Sequence, residues 1–528
     1  MIRDLVRDDV LKASHKLGVK AQKLELTRPA DPKNGDYSTN MALKVSHEVK
    51  QSPMGFAKIL ADSLKDQAYI EKLEVKEPGF LNFFVKPQFL ANEVEKVLKQ
   101  GDQYGSNDLN KGKKARVEFV SANPTGPLHF GNARGGPIGD VLASVLEFSG
   151  YKVIREYYHN DLGGQIEKLG ESIVNVANGK KLEDQEYKGE YVRDLATNVS
   201  KTADSKEAGK KAVEVLLKEI LSDCSAIGIK FDEVYSESEL TDSGKTEKAI
   251  SELEVKGFLK KKEGAVWFAP SDEFLKDRET VVKKSGGDYT YFANDIAYHN
   301  LKFSKDPDLV IDILGANHHG HVPRLQAVIK VLGYDVSRFH VILYQWVRFK
   351  RGGELVKMSK RAGTFVTARE VLDEIGRDAL RFFILMHDAN SPIDFDLDLA
   401  KEKSAKNPVY YVQYAHARIC SILAKSKVKD QKSNVNYELL ATEYELNLIK
   451  QITKLPELVE DISRNFAVNQ LTTYAISLAD SFHKFYENCR VVGEKKEVEE
   501  ARIALITATK IALENTLGLL GISAPEKM

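Results

Sequence analysis

A short stretch beginning near residue 115 constrains the fold more than any other feature of the sequence. The β-branched and aromatic string ARVEFVSAN is followed by a turn rich in proline and glycine, and then by a helical pattern that ends at Phe148, with Gly150 as its C-terminal cap. A second apolar string, YKVIREYY, follows at once. A strand, a glycine-rich turn, a helix and a strand in this order predict a βαβ unit, and hence a parallel sheet with a right-handed crossover.

The chain before and after this unit has a different pattern. Residues 1–112 mix helical periodicity with strand-like pieces such as LNFFV, and they lead into the polar run GDQYGSNDLNKGKK, which we interpret as a linker. Residues 113–375 form the predicted α/β domain. An insertion around 166–285 is expected to be helical first and then strand-like in GAVWFAP and DYTYFAND.

The last part of the chain, residues 376–528, is predicted to be a helical bundle. Asn407 followed by Pro408 is typical of a helix start. The final helix is expected to end at Gly521, and one of its faces carries Ile503, Ile506, Leu513 and Leu517.

Composition excludes several classes of protein. The chain has 42% hydrophobic and 29% charged residues, as an ordinary globular protein does, and its 528 residues predict three or four domains of roughly 100 to 200 residues each. Cys224, Cys420 and Cys489 are too few and too far apart for a disulfide framework or a CxxC zinc site, so we expect no structural zinc. The N-terminal MIRDLVRDDVLKAS is too charged for a secretory signal, and no long uncharged apolar run follows. We therefore expect a cytoplasmic protein without a membrane partner.

Net charge gives no support to a nucleic-acid partner, because 77 basic residues balance 77 acidic ones. Any such binding must be local. Basic clusters exist at Lys350 and Arg351, at 357–361 and at 425–432, but runs of this kind are more often solvated faces.

Two motifs are suited to phosphate chemistry. The turn PTGPLHFGNARGG follows the first strand of the βαβ unit and opens a helix, where free backbone N–H groups favour an anion. His129 in this turn can donate a hydrogen bond to a phosphate oxygen whose charge grows in the transition state. The second motif, KMSKR, carries Lys357 and Lys360 after a glycine pair and can close over a triphosphate. Taken alone, the first motif is more simply a glycine turn needed for packing, and the second a solvated loop. The occurrence of both motifs in this order along the chain favours the functional interpretation.

HFGN and KMSKR resemble the two signature motifs of class I aminoacyl-tRNA synthetases. The longer strings SANPTGPLHFGNARGGPIGD, KMSKRAGTFVTARE, GRDALRFFILM and NPVYYVQYAHARI resemble bacterial-type arginyl-tRNA synthetases. The likeness covers nearly the whole chain, from GDYSTNMALK and EPGFLNFF to GLLGISAPEKM. It implies a Rossmann-like parallel-sheet catalytic domain between an N-terminal α+β domain and a C-terminal all-α bundle.

The resemblance implies an arginine–tRNA ligase that uses ATP with Mg²⁺ to form arginyl-adenylate and then charges tRNA(Arg), often only once tRNA is bound. We expect a monomer. The C-terminal domain would read the anticodon and the N-terminal domain would touch the outer corner of the tRNA.

The implied catalytic residues are His129, Asn132, Lys357 and Lys360. The implied ATP-binding residues are Pro127, His129, Gly131, Asn132, Met358, Ser359 and Lys360. The implied arginine-binding residues are Asn123, Asp161, Gln165, Tyr291, Asp295, Asn317 and His318. The implied tRNA-binding residues are Tyr411, Tyr414 and Arg418.

Plainer interpretations stand beside these assignments. Asp295 would cap a helix beginning at Ile296, while Tyr291 would pack in the core. Asn123 would be an ordinary turn residue, and aromatic stripes on helices such as the one that holds Tyr411 are usually core. The histidines of GANHHGHV are expected to contact substrate and nucleotide rather than a metal, because adjacent histidines point different ways.

One position departs from the family pattern. The first signature usually ends in a second histidine, and this chain has Asn132 there, which can still donate a hydrogen bond but carries less charge. Family members that lack the second KMSK lysine have one upstream of the first motif. This chain has Lys360 and has Gly126 upstream, so its lysine arrangement is self-consistent.

Two other functions compete with this one. A different nucleotidyl-transferring α/β enzyme could use an HxG turn, but such enzymes are generally short and lack the helical C-terminal half. A tRNA-binding scaffold that has lost catalysis is favoured only by Asn132, and Lys357 and Lys360 count against it.

Overall fold

The computed structural model describes residues 1–19, 24–270, 275, 279–356, 366–426, 428 and 435–528. The N-terminal part is an α+β layer. Its elements are α1 (Ile2–Lys16), β1 (Tyr37–Thr39), α2 (Met41–Val45), α3 (Pro53–Leu64), β2 (Ile70–Lys76), β3 (Phe80–Val85), α4 (Pro87–Ala91) and α5 (Glu93–Gln100). The strands pair antiparallel in the order β1-β3-β2, and β3 confirms the strand predicted for LNFFV.

The central part contains the parallel sheet that positions the candidate site. Its first elements are β4 (Lys114–Glu118), α6 (Phe130–Ala133), α7 (Gly135–Phe148), β5 (Lys152–His159), α8 (Gly164–Ala177), α9 (Glu190–Ala196), α10 (Ser205–Ile227), β6 (Glu233–Ser236), α11 (Glu237–Asp242) and α12 (Lys245–Val255). Then follow β7 (Leu259–Lys262), β8 (Ala265–Phe268), β9 (Thr280–Lys283), α13 (Tyr291–Ser304), β10 (Leu309–Gly315), α14 (Val322–Leu332), β11 (Phe339–Tyr344), β12 (Val347–Arg351), β13 (Glu354–Leu355) and α15 (Ala368–Ile375).

The main sheet confirms the predicted βαβ unit. Five strands pair in the order β11-β10-β4-β5-β6, and every pair is parallel. α7 ends at Phe148 as expected, and Gly150 follows with φ 94°. The helix lies so close to the sheet that a Cβ on Gly139 would come within 2.2 Å of Phe119. Residue 139 must therefore be glycine for α7 to pack here.

The segment predicted as an insertion does more than interrupt the sheet. It supplies β6 to the main sheet as well as the separate antiparallel sheet β7-β8-β9. The strand-like reading of DYTYFAND is wrong, because α13 begins at Tyr291 inside that string. Phe292 and Ile296 recur at helical spacing and are both buried, so the burial of one helix face outweighs the β-propensity of the aromatic residues.

The C-terminal part is helical, as predicted. Its elements are α16 (Arg377–Leu385), β14 (Ile393–Asp396), α17 (Leu397–Lys401), α18 (Pro408–Lys425), α19 (Glu443–Ile452), α20 (Leu455–Asn465), α21 (Asn469–Asn488) and α22 (Lys496–Leu520). Asn407 caps α18 by accepting a hydrogen bond from the backbone N–H of Val409, and α22 stops before Gly521. By length and composition α22 could cross a membrane, but 67% of its most apolar window is buried in the protein, as in a core helix.

Charged side chains fill the space between α13 and the parallel sheet. We call them the ionic cluster, which consists of Arg116, Glu118, Glu156, His299, Lys302 and Asp312. All six are buried. They come from β4, β5, β10 and α13.

Candidate active site

The first signature turn holds His129 in one tautomer. His129 precedes α6, and its Nδ1 accepts a hydrogen bond of 2.9 Å from the backbone N–H of Gly131. A neutral imidazole that accepts at Nδ1 carries its proton at Nε2. A Cβ on residue 131 would lie 2.9 Å from the His129 ring, which explains the glycine. The ring is thus arranged to donate a hydrogen bond from Nε2, the role expected of it at a phosphate oxygen.

The turn is bound directly to the chain that follows the second signature. The backbone N–H of Phe130 donates to the carbonyl of Val366 at 3.1 Å, and that of Ala368 donates to the carbonyl of Leu128 at 2.8 Å. Lys357, Met358, Ser359 and Lys360 lie outside the described residues. Asn132 is exposed and Pro127 is partly buried.

Loops at the carboxyl ends of the central strands are joined by polar side chains. The Oδ1 atom of Asn123, after β4, accepts a hydrogen bond of 3.0 Å from the backbone N–H of Asn160, after β5. Asp161 accepts one of 2.9 Å from the backbone N–H of Ser238 and a second from its hydroxyl. Asp161 therefore uses both carboxylate oxygens to connect the loops after β5 and β6. Gln165 is exposed in the first turn of α8.

The N-terminal part of α13 carries Tyr291 and Asp295. The helix begins at Tyr291 and not at Ile296, so the interpretation of Asp295 as a helix cap is wrong. Tyr291 is 60% exposed, so it does not pack in the core. Asp295 Oδ2 lies 2.8 Å from Nε2 of His321, and both side chains are 16% exposed.

The loop after β10 forms the opposite wall. Asn317 and His318 follow Gly315, the last residue of β10, and both are exposed. The backbone N–H of His321 donates to the carbonyl of His318 at 2.8 Å, which places His321 against Asp295. Over the described part of the chain, no group of three or more His, Cys, Asp or Glu side chains could hold a metal ion.

A third acidic group at this site, Glu237, was not predicted from the sequence. It opens α11 directly after β6, is 4% exposed, and accepts a hydrogen bond of 3.0 Å from Nδ2 of Asn294. Burial raises the pKa of Glu237 to about 8, and the carboxylates of Asp295 and Asp161 add to the rise. Three carboxyl groups therefore converge at one edge of the sheet, an arrangement that favours a ligand with positive charge. The Lys- and Glu-rich sequence around Glu237 carries no signal that sets it apart.

Aromatic side chains on α18 and α21 form a second candidate surface. The ring of Tyr414 stacks on that of His483 with centroids 6.0 Å apart, and Tyr411 lies 4.8 Å from the same ring. The Arg418 guanidinium lies 5.0 Å from the ring centroids of both Tyr414 and Tyr486. The structure thus brings together Tyr411, Tyr414 and Arg418 as the sequence predicts, and it adds His483 and Tyr486.

The parallel sheet, the histidine turn and the helical domain together are those of a class I aminoacyl-tRNA synthetase. Three family models cover the chain. "Arginyl tRNA synthetase N terminal domain" matches residues 1–85, "tRNA synthetases class I (R), catalytic domain" matches 93–421, and "DALR anticodon binding domain" matches 412–528. The chain belongs to the arginyl-tRNA synthetase family.

Individual relatives agree with these models. The arginine–tRNA ligase of Caldanaerobacter subterraneus subsp. tengcongensis is 42% identical, across 100% of this chain and 99% of the ligase. That of a Geobacter species is 44% identical across 96% of this chain and 95% of its own length. A putative arginyl-tRNA synthetase structure from Campylobacter jejuni is 32% identical with a TM-score of 0.76, and it covers 84% of this chain and 100% of its own. The Thermus thermophilus arginyl-tRNA synthetase is 22% identical, covers 100% of both chains, and shares the fold with a TM-score of 0.83.

Proposed function

We propose that this chain activates arginine with ATP to give arginyl-adenylate and then transfers the arginyl group to the terminal adenosine of tRNA(Arg). The observation that carries this proposal is the convergence of Asp161, Glu237 and Asp295 at the carboxyl edge of the parallel sheet. Ligands of α/β sheets bind at this edge. A planar cation with paired N–H donors suits carboxylates better than a neutral amino acid does.

In the proposed activation step the arginine carboxylate attacks the α-phosphorus of ATP in line, and pyrophosphate leaves. Positioning and charge stabilisation account for most of the catalysis in reactions of this type. The Nε2–H group of His129, the amide of Asn132, and the ammonium groups of Lys357 and Lys360 would stabilise the developing charge. Pro127, Gly131, Met358 and Ser359 would contact ATP. Mg²⁺ would enter with the nucleotide, because this ion is usually bound through substrate phosphates and one or two carboxylates.

Arginine would lie between α13 and the loop after β10. Asp295 and Glu237 would face the guanidinium, and Tyr291 would cover it. Asn123, Gln165, Asn317 and His318 would contact the rest of the amino acid or the adenosine. Asp161 would act mainly by fixing the loops, since both of its oxygens are already bonded to Ser238.

The tRNA would be recognised by the helical domain. Aromatic rings stack on bases, and an arginine beside them pairs with phosphate, so Tyr411, Tyr414 and Arg418 would contact anticodon nucleotides.

We divide the chain into a tRNA-binding domain at 1–112, a catalytic domain at 113–375 and an anticodon-binding domain at 376–528. We further propose that the enzyme is a cytoplasmic monomer with no membrane partner and no structural zinc.

Charging of bulk tRNA with each labelled amino acid in turn tests the proposal. Only arginine should become attached, and only when ATP is present. Reactions without ATP and with Asp295→Asn serve as controls. Attachment of a different amino acid, or none at all by folded protein, would overturn the assignment.

A further inference from the structure

α13 meets the parallel sheet through an apolar cluster that includes Phe303, Val310 and Phe339, and beside it through buried charges. The Lys302 ammonium is 1% exposed and donates to Glu118 Oε2 at 2.5 Å and to Asp312 Oδ1 at 2.6 Å. Glu156 lies 3.9 Å from the same ammonium, and it accepts a hydrogen bond of 2.6 Å from Nε of Arg116. The helix is therefore held at one place by hydrogen bonds to β4 and β10 and by an ion pair to β5.

His299 occupies the end of this cluster nearest to the candidate pocket. Its Nδ1 lies 2.8 Å from the backbone carbonyl of Asp295, and its Nε2 lies 2.9 Å from Oδ2 of Asp312. Both partners are acceptors. A neutral imidazole has only one N–H, so only the imidazolium makes both hydrogen bonds.

Charge balance leads to the same conclusion. The ionic cluster holds the carboxylates of Glu118, Glu156 and Asp312, and the cations of Arg116 and Lys302 leave one negative charge unmatched. Glu233, which also bonds Arg116 from outside the cluster, is itself paired with Lys305 and does not change this sum. A protonated His299 brings the sum to zero, and a buried group of ions is tolerated best when every charge is paired. Burial is the largest single effect and opposes the charged ring, but the hydrogen bond to Asp312 and the carboxylate charges of Asp312 and Glu118 together outweigh it and raise the pKa of His299.

We infer that His299 is a positioning residue for the arginine pocket, an inference that rests on the function proposed above. Its imidazolium ties the Asp295 turn of α13 to Asp312 of β10. β10 ends at Gly315 and leads directly to Asn317, His318 and His321. The two walls of the pocket, which Asp295 and His321 join directly, are thus also tied to each other through this buried side chain.

The bond depends on pH in a definite direction. The groups that face His299 are Asp312 on β10, Glu118 on β4, Lys302 on its own helix and the ring of Phe339 on β11. Because the folded pKa of His299 is raised, its stabilisation is complete below the unfolded pKa of about 6.5 and is lost as pH rises through the folded value. Once deprotonated, Nε2 would turn a lone pair toward the Asp312 carboxylate, and the pocket would loosen at alkaline pH.

Steady-state tRNA charging at varied arginine concentration tests the inference. His299→Gln should raise the KM for arginine about tenfold, the factor that corresponds to 1.4 kcal/mol, while kcat and the KM for ATP stay within about twofold. The matched control is Asn300→Ala, which removes the bond of 2.8 Å between the neighbouring residue of α13 and Tyr334. A role in stability alone would reduce the fraction of active enzyme, and hence apparent kcat, in both variants without moving the KM.

A second variant keeps both bonds but removes the charge. In Asp312→Asn the amide oxygen can still accept from Lys302, and the amide N–H can donate to a neutral His299. We expect its arginine KM at neutral pH to stay within about threefold of the unsubstituted enzyme, with the alkaline rise in KM abolished.

Three outcomes would be decisive. An unchanged arginine KM in folded His299→Gln would overturn the inference. Should that variant not fold, an alkaline rise of equal size in Asp312→Asn and the unsubstituted enzyme would do so instead. Failure of the unsubstituted enzyme to charge tRNA with arginine would instead refute the proposed function.

Discussion

Two buried regions of this molecule differ in how far charged side chains contribute to their packing. α22 packs into the helical domain through Ile503, Ile506, Leu513 and Leu517, none of which is more than 3% exposed. α13 packs on the parallel sheet through the ionic cluster. Both helices bury apolar area, which on α13 includes Phe292 and Ile296, but the contact of α13 with the sheet also includes buried charged hydrogen bonds.

The two kinds of packing contribute differently to the free energy of unfolding and to the position of the pocket residues. Apolar contacts gain free energy roughly in proportion to buried area and tolerate small shifts in position. Buried ions are tolerated only where geometry pairs each of them, because an unpaired one costs several kcal/mol. We therefore expect the helical core to supply more of the free energy of unfolding, and the ionic interface to fix the position of the groups that bind arginine.

A cavity in the apolar region is the strongest test of this separation. Leu517→Ala should lower the free energy of unfolding by about 2 to 5 kcal/mol, because a buried leucine leaves a cavity. Denaturant unfolding measures the loss, and Leu109→Ala, at a leucine that is 51% exposed, is the control. The arginine KM of folded Leu517→Ala should be unchanged, and a severalfold rise would contradict the division.

Removing charge at the pocket should have the reverse effect. Asp295→Asn keeps the size of the side chain, but we expect arginine affinity to fall by roughly 2 to 5 kcal/mol, as when one partner of a buried charge pair is truncated. ATP affinity and the unfolding midpoint should hardly move. Titration with arginine and with ATP measures both, and undiminished arginine binding would require a different acid for the guanidinium.

Glu237 offers a sharper test, because replacing it should raise the stability of the protein and at the same time weaken arginine binding. Its folded pKa is raised from 4.5 to about 8, so the folded carboxyl binds a proton that the unfolded chain releases, and stability falls as pH rises through this window. Glu237→Gln removes the penalty, and we expect it to stabilise the protein by up to about 3 kcal/mol near pH 7 while weakening arginine binding. Thermal unfolding at pH 5 and pH 8 should show a smaller difference in the variant. A variant less stable at pH 8 than the parent would refute the assignment.

The signature turn belongs to neither buried region, and its variants should change rate alone. Asn132 is exposed, so Asn132→Ala should lose on the order of 1 to 3 kcal/mol of transition-state stabilisation without a change in the unfolding midpoint. Asn132→His should retain activity if the position needs only a donor. Adenylate formation measured by pyrophosphate exchange distinguishes the two, and full activity in the alanine variant would make the position dispensable.

The sequence correctly predicts those helix ends and helix faces that depend on a few neighbouring residues. The helix ending at Phe148, the start of α18 at Asn407 and Pro408, and the apolar face of α22 each follow from a few neighbouring residues. DYTYFAND was misassigned because its threonine and aromatic residues favour a strand, while contacts from helices and strands elsewhere in the chain bury one face of a helix there.

The residues of the candidate site likewise fall into those that the sequence located and those that it missed. The resemblance located His129 and Asp295, but nothing in the neighbouring sequence indicates that Glu237 in ESELTD or Lys302 in YFANDIAYHNLKFS is buried. Lys302 is buried only because Glu118 and Asp312 reach it from strands that folding brings together. No pattern within one stretch of sequence indicates that these three side chains meet in the folded protein.

The hydrogen bonds of Phe130 with Val366 and of Ala368 with Leu128 act as a tether for the second signature. Lys360 is six residues before Val366, and a chain spans at most about 3.3 to 3.6 Å per residue, so its Cα cannot lie more than about 22 Å from that anchor. A group joined to an anchor by so short a chain has the high effective concentration that short linkers give. Lengthening the chain between Leu355 and Val366 with glycines would lower that local concentration gradually, whereas cutting the anchor would lower it at once.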